Sequence, residues 1–385
     1  MWPGAAFGSR AELNPEVSRV LIAAGASGGH VYPALATGEV LRARGHDVAF
    51  AGGDRLEARV VPEAGFPFHA LPVRRPPSVR IELATPRGLR AVGSIVRATW
   101  LARRLIGRVA PDVVLGMGGF AAVPVALAAG WGRSPLVLHE QNANLSLAQR
   151  IPLRWADVLA LGLPLRDTPP SIRTELVGHP VRDRLVAVGG LSVDALLHAR
   201  TEARLRLGLD ASVPTLLVFG GSLGSGPLND LVPTAPLPPS VQVLHLAGPG
   251  RAAPVRTAWA KRGVAAVVLD YLDSIEDAYL SADVSVSRSG ASTVAELALV
   301  GLPSILVPLP TLARGDQEAN ARVLERAGAA TVILQSTQGF SGAVGAEVSR
   351  LLEDRDARAS MAAAARTLAR PDGAERLADV VESVV

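Results

Sequence analysis

One unit of sequence occurs twice, and it narrows the fold more than anything else in the chain. "VSRVLIAAG" (17–25) is a buried strand that ends in glycine. "PTLLVFGGSLG" (214–224) is a second strand running into glycines. After the first, Val31, Ala34, Leu35, Gly38 and Leu41 recur at helical spacing and Gly45 closes the helix. "DVAFAGG" (47–53), "PDVVLGMGG" (111–119) and "PLVLHEQN" (135–142) read as further strands. The second half repeats the pattern with "VQVLHLAG", "AAVVLDYL", "ADVSVSRSG", a helix over 291–300, the strand "PSILVPL" and a helix over 317–327.

Strands alternating with helices predict parallel sheets covered on both faces. The reading is α/β, with two Rossmann-like domains facing a central cleft. Residues 1–17 are expected to be a flexible N-terminus. An N-terminal domain follows over 18–183 and a second over 184–370, the polar stretch 184–213 linking them. A short amphipathic helix over 371–385 is expected to pack back on the first domain. Ligands in such sheets bind at the carboxyl ends of the strands, where the glycines lie.

Composition sets the outer limits. The chain has 385 residues, enough for about two domains, with 49% apolar and 19% charged residues. It has no cysteine, which removes disulfides, thiolate nucleophiles and cysteine-zinc sites. Lys261 is the only lysine among 39 basic residues, and the net charge of +4 is too small to argue for nucleic acid. The longest apolar run, Phe120–Trp131, is too short to span a bilayer, and the N-terminus does not read as a signal peptide.

The loops carry the chemistry. "GASGGH" (25–30) places Gly25, Gly28 and Gly29 between a strand and a helix, where backbone N–H groups favour anions. The spacing is not G-x-G-x-x-G, and the second strand ends "AFAGG" before Asp54, so a nicotinamide site is disfavoured. "GMGGF" (116–120) and "GGSLGSGPLN" (220–229) are two more such loops, and Ser222 adds a hydroxyl for a phosphate oxygen. In "SRSGASTVAE", Ser289, Gly290, Ala291, Ser292 and Thr293 surround a helix start, and Glu296 lies a turn further on. The unpaired amides suit a diphosphate and the carboxylate suits the two hydroxyls of a ribose. The alternative is an ordinary capping box, with Ser or Thr at the cap and Glu three residues on.

"GASGGHVYPALATGEVLRARGHDV", "PDVVLGMGGF", "PLVLHEQNANLSLAQR", "LVGHPVR", "GGSLGSGPLN", "SRSGASTVAEL" and "GDQEANARVLERAGAA" occur in that order. Over about residues 18–380 the chain resembles the MurG family, the N-acetylglucosaminyltransferases that make the lipid-linked disaccharide-peptide precursor of peptidoglycan. The resemblance implies a GT-B fold and an inverting transfer of N-acetylglucosamine from UDP-N-acetylglucosamine. The acceptor would be the 4-hydroxyl of a lipid-linked N-acetylmuramyl-pentapeptide. It implies a donor site in the second domain: Ser222 and Ala291, Ser292, Thr293, Val294 and Ala295 at the diphosphate, Glu296 at the ribose, and the Leu272 backbone at the uracil under Tyr271. Gln317 and Asn142 would contact the sugar and Arg182 the donor. Ser27, Gly28 and Gly29 would approach the acceptor diphosphate and the donor sugar.

An inverting transfer needs a group to accept the hydroxyl proton, and His30 and Glu140 are the two candidates. No protein-bound metal or other cofactor is expected. The Asp-x-Asp in "EDRDAR" sits on a distal helix, and the helix start near 291 with Arg182 could meet the charge on departing UDP. The chain departs from the family pattern at Asp316, His179, Ser146 and Phe120, and Asp316 bears on the sugar contacts.

Residues 74–108 hold Arg74, Arg75, Arg80, Arg87, Arg90, Arg97, Arg103, Arg104 and Arg108 against one acid, Glu82. With Ile95, Val96, Trp100, Leu101, Leu105 and Ile106 among them, this stretch suits an anionic membrane surface; the alternative is a solvated helix with its apolar residues facing the core, and the resemblance implies the cytoplasmic face of a bacterial membrane. No stacking aromatics accompany the arginines as nucleic acid would require. Rival readings are another UDP-sugar transferase acting on a glycolipid or small molecule, a UDP-sugar epimerase, and a non-catalytic nucleotide-binding protein.

Overall fold

A computed structural model describes residues 17–25, 27–74, 85–310 and 315–385, without the side chains of residues 86–89. Apart from Val17, the N-terminal stretch expected to be flexible lies outside the described residues, and so do Arg75, Arg80 and Glu82. The chain divides into two compact units. One runs to Arg182 and includes Asp372–Val385; the other is Asp183–Pro371.

The first unit is built on β1 (Arg19–Ala23), β2 (Asp47–Gly52), β3 (Phe68–Ala70), β4 (Val113–Gly116), β5 (Leu136–Glu140), β6 (Val158–Leu161) and β7 (Arg173–Leu176). These form one parallel sheet in the order β3-β2-β1-β4-β5-β6-β7. Val20 and Ile22 of β1 face the helices Gly28–Ala43 and Gly373–Glu382, whereas Leu21 and Ala23 face Pro86–Val109 and Val123–Gly132. Burial on both faces is why these strands read as unbroken apolar runs.

The C-terminal helix buries Leu377, Val380 and Val381 in this core, each worth roughly 1.5–3 kcal/mol. At its rim Arg44 pairs with Asp379 at 2.7 Å and Glu382 at 2.8 Å, exposed contacts that add little.

The second unit holds β8 (Thr215–Phe219), β9 (Gln242–Leu246), β10 (Ala266–Leu269), β11 (Val284–Ser287), β12 (Ser304–Leu306) and β13 (Thr331–Val332). They too are parallel, in the order β10-β9-β8-β11-β12-β13. The stretch read as a link is docked on this unit. Arg200 and Arg204 of the helix Val193–Arg206 pair with Asp283 at 2.8 and 2.6 Å, and that carboxylate also accepts the Thr215 N–H at 2.8 Å.

Each sheet reverses its strand order beside its first strand, between β1 and β4 and between β8 and β11. At such a switch point the two following loops diverge and leave room for a ligand. The glycine loops 24–30 and 117–122 flank the first switch point, and 220–225 and 288–290 flank the second.

Candidate functional site

In the second unit, Gly290 caps the helix Ala291–Val300 with extended backbone and no side-chain cap bond. Thr293 is therefore the third helical residue and Glu296 the sixth, so the capping-box alternative does not form. Ser292 and Glu296 are four apart and share a face. The Glu296 carboxylate is instead held by Tyr279, whose hydroxyl donates to Oε2 at 2.7 Å. Tyr279 is buried on the helix Ile275–Ser281 with its ring edge-on to Phe219 at 5.8 Å.

The loop after β8 exposes Ser222 beside this helix start. Gly224 closes the loop at φ +68°, and a Cβ there would lie 2.1 Å from the Ala247 carbonyl oxygen, so no other residue fits.

Behind both loops lies Arg288, a residue the sequence reading did not single out. It is buried and donates to Ser225 Oγ at 3.1 Å, to the Val307 and Pro308 carbonyls at 3.0 Å each, and to Gln335 Oε1 at 2.9 Å. All four acceptors are neutral, and burial lowers its pKa. This guanidinium thus ties the loop after β11 to those after β8 and β12.

Gln317 opens the helix Asp316–Arg326 and is tied into the same loops. Its Oε1 accepts the Leu309 N–H at 2.9 Å and its backbone carbonyl accepts Ser289 Oγ at 2.7 Å. Its side-chain carbonyl is committed within the chain, which leaves the amide NH2 as the group suited to a ligand. Leu272 lies beyond β10, two strands from β8, with Tyr271 half exposed next to it.

In the first unit, the loop after β1 brings Ser27, Gly28, Gly29 and His30 to the switch point. Ser27 Oγ and His30 Nδ1 are 2.9 Å apart. The Cδ2–Nε2 edge of His30 lies against Gly118, 3.1 and 3.4 Å from where a Cβ would stand. A side chain at Gly119 (φ +76°) would fall 2.3 Å from the Gly25 carbonyl oxygen. The glycines of "GMGGF" are thus spacers that let the two loops close on the imidazole. Burial lowers the His30 pKa to about 4, although the residue as a whole is only partly buried.

Glu140, at the end of β5, is engaged differently. Its Oε1 accepts the Asn142 N–H and side-chain NH2, both at 3.0 Å, and its Oε2 accepts the Ser146 N–H at 2.7 Å. The carboxylate is buried and organises its own loop. Two glutamines missed by sequence reasoning bind that loop to the one after β4. Gln141 donates to the Met117 carbonyl at 3.3 Å, and Gln149 donates to Gly116 and His139 carbonyls at 3.2 and 2.7 Å. Arg182 ends this unit with its guanidinium 5.6 Å from the Tyr32 ring centre.

The sequence-read residues therefore fall into two groups, one in each unit: Ser27–His30, Glu140, Asn142 and Arg182 in the first, and Ser222, Leu272, Ala291–Glu296 and Gln317 in the second, with only the loops after β1, β8 and β11 flanking a switch point. Among the described residues, no three His, Asp or Glu side chains are placed to hold a metal ion.

Two parallel α/β units with anion-directed loops at both switch points are the build of a nucleotide-sugar glycosyltransferase. Residues 20–160 match the glycosyltransferase family 28 N-terminal domain and residues 215–377 its C-terminal domain. The UDP-N-acetylglucosamine–N-acetylmuramyl-(pentapeptide) pyrophosphoryl-undecaprenol N-acetylglucosamine transferase of Halorhodospira halophila is 40% identical over 377 residues, covering 96% of this chain and 99% of that one. The protein of the same name from a Nocardioides strain is 40% identical over 372 residues, 94% of this chain and 97% of its own. Among solved structures, MurG of Acinetobacter baumannii superposes with a TM-score of 0.73 at 27% identity, over 95% of this chain and 99% of the other. The chain belongs to this family of N-acetylglucosamine transferases, the MurG family.

A UDP-N-acetylglucosamine 2-epimerase from Listeria monocytogenes also superposes, with a TM-score of 0.64, but at 14% identity it shares the fold alone.

Proposed function

We propose that this protein moves N-acetylglucosamine from UDP-N-acetylglucosamine to the 4-hydroxyl of a lipid-linked N-acetylmuramyl-pentapeptide, with inversion, in peptidoglycan synthesis. The observation that carries this reading is the helix start at Ala291, which has no side-chain cap bond, with Glu296 held about one turn along it. The helix amides and Ser222 take the diphosphate and Glu296 takes the ribose hydroxyls. Leu272 presents its backbone to the uracil. Gln317, Asn142 and Arg182 bear on the donor's sugar and phosphate, and Ser27, Gly28 and Gly29 on the acceptor side.

The acceptor oxygen attacks the anomeric carbon, the bond from that carbon to the β-phosphate oxygen breaks, and its electrons leave with UDP. The helix dipole meets that charge without a protein-bound metal. His30 is the base. With Nδ1–H donating to Ser27 Oγ, Nε2 is left as the acceptor for the hydroxyl proton. Glu140 acts as a positioning residue, because its oxygens already accept three N–H groups.

The test is transfer of labelled sugar to purified lipid acceptor. The intact chain is expected to form the disaccharide product, and Glu296→Ala to raise the donor KM by about tenfold to a hundredfold, the loss of hydrogen bonds to a charged group. Release of free sugar or an epimer without acceptor would end the transferase reading.

The acceptor is a lipid, and one face of the first unit suits a membrane. On the helix Pro86–Val109, Val92, Val96 and Trp100 recur every fourth residue and are 44%, 66% and 52% exposed. Arg104 stacks on the Trp100 ring at 3.5 Å, and Arg97, Arg103 and Arg108 are exposed beside it. Trp131, on the neighbouring helix Val123–Gly132, is 54% exposed. No helix among the described residues is long and apolar enough to cross a membrane. Apolar rings amid arginines fit peripheral docking on anionic headgroups at the cytoplasmic face of a bacterial membrane. Trp100→Glu is expected to weaken co-sedimentation with phosphatidylglycerol vesicles about tenfold. Equal binding of variant and parent would remove this face from the reading.

A further inference from the structure

Glu296 serves a ribose most selectively if its carboxylate is aimed before the ligand arrives. A glutamate has three rotatable bonds, and on a helix surface several combinations of them are open to it. In this chain one side chain restricts that freedom. The Tyr279 hydroxyl donates to Glu296 Oε2 at 2.7 Å, and Tyr279 is itself only 3% exposed. Its ring stands edge-on to Phe219, the last residue of β8, at 5.8 Å and 68°. The phenol is thus fixed by the strand that begins the switch point, and it transmits that rigidity to the carboxylate.

We propose that Tyr279 is a positioning residue that sets the ribose selectivity of the donor site. It holds Glu296 Oε2 through one lone pair, so the carboxylate meets the two vicinal hydroxyls of the nucleotide already oriented. This inference rests on the donor-site reading above, and it assigns to a residue outside the sugar-nucleotide loops the discrimination between ribose and deoxyribose. A preorganised acceptor discriminates more sharply than a mobile one, because a mobile carboxylate can turn away when a hydroxyl is missing.

The experiment uses the intact chain and its Tyr279→Phe and Glu296→Gln variants, with UDP and 2′-deoxy-UDP as probes in titration calorimetry. For the parent chain UDP is expected to bind at least tenfold more tightly than 2′-deoxy-UDP. Tyr279→Phe keeps the ring and its contact with Phe219, and is expected to weaken UDP about fivefold to twentyfold while 2′-deoxy-UDP changes less than threefold. In the transfer assay the same variant should raise the donor KM with kcat nearly unchanged, since the lost interaction is made equally in ground and transition states. A purely structural role would lower the melting temperature and leave the ratio of the two affinities as it was; that result, or an unchanged UDP affinity, overturns the proposal. If Glu296→Gln abolishes the ratio and Tyr279→Phe does not, only the role of Tyr279 fails. If Glu296→Gln leaves the ratio intact, the donor-site reading fails with it.

Discussion

Replacing His30 with alanine is expected to lower kcat about 10²- to 10⁴-fold, the usual contribution of a positioned base. The donor KM should change little, because His30 belongs to the first unit and the loops proposed for the nucleotide to the second. The pH dependence makes the assignment specific. Burial holds the His30 pKa at about 4, so the imidazole stays neutral and able to accept a proton well below the ordinary 6.5. The rate constant kcat/KM for the acceptor should therefore be flat from pH 8 to 5.5. An unperturbed imidazole would lose about tenfold by pH 5.5, one unit below its midpoint. Ser27→Ala, which removes the partner of Nδ1, should lower kcat by a smaller factor. A His30→Ala variant within threefold of the parent, or a rate that fell with a midpoint near 6.5, would return the base to another residue. Glu140→Gln is the companion measurement. If its carboxylate only organises the loop to Ser146, the effect follows the melting temperature and not the pH profile.

Acid should weaken both units before any catalytic group titrates. His139 is wholly buried and its Nε2–H donates to the Gly178 carbonyl at 3.1 Å. Burial lowers it to about 4. His179, whose ring centre is 6.3 Å away, is lowered to about 3 by burial, with His139 and His30 adding to the effect. In the second unit His245 is lowered to about 3 by burial. There Trp259 Nε1–H donates to its Nδ1 at 3.1 Å and its Nε2 lies 3.0 Å from Asn229 Oδ1, which fixes the neutral tautomer.

In all three the folded pKa lies below the unfolded one. Between pH 6.5 and about 4 the unfolded chain therefore binds more protons, and stability falls as pH falls through that window. At pH 5 each histidine has lost about 2 kcal/mol, from roughly 1.5 pH units at 1.36 kcal/mol per unit. That is about 4 kcal/mol for His139 and His179 together in the first unit, where His30 acts in the same direction, and about 2 kcal/mol for His245 in the second, a large share of a typical 5–15 kcal/mol. Calorimetry from pH 7.5 to 5 should show both transitions moving down, the first unit's further. His245→Gln should flatten the dependence of the second unit alone. Unchanged transitions across this range would mean that these imidazoles are not held neutral.

Much of the fold was readable because its signals are local. An apolar run, a glycine and a helical period each occupy one stretch of chain, and a parallel sheet covered on both faces imposes them on every central strand. Four strands went unread: β6, whose buried run "VLAL" does carry such a signal, and three that lack it. β7 is the sequence "RTEL" at a sheet edge, where one face meets solvent, and β13 is two residues long. β3 likewise has three residues and forms the opposite edge. The loops proposed for the donor stood out for the same reason, since a helix start exposes its amides whatever surrounds it. Tyr279 carried a faint signal, as one of three tyrosines in the chain and on a helix that buries it. A buried phenol needs a hydrogen-bond partner, but only the fold names that partner.

By itself the sequence determined the order of strand, loop and helix, the places where amides and hydroxyls gather, and the family to which those loops belong. The tertiary structure decided which side chains meet. It turned Glu140 inward to its own loop, set Tyr279 against Glu296, joined four neutral acceptors around Arg288 and lowered the buried histidines. These outcomes depend on desolvation and on contacts between residues far apart in the chain. Such contacts follow from the order in which strands lie side by side, which no single stretch of sequence contains.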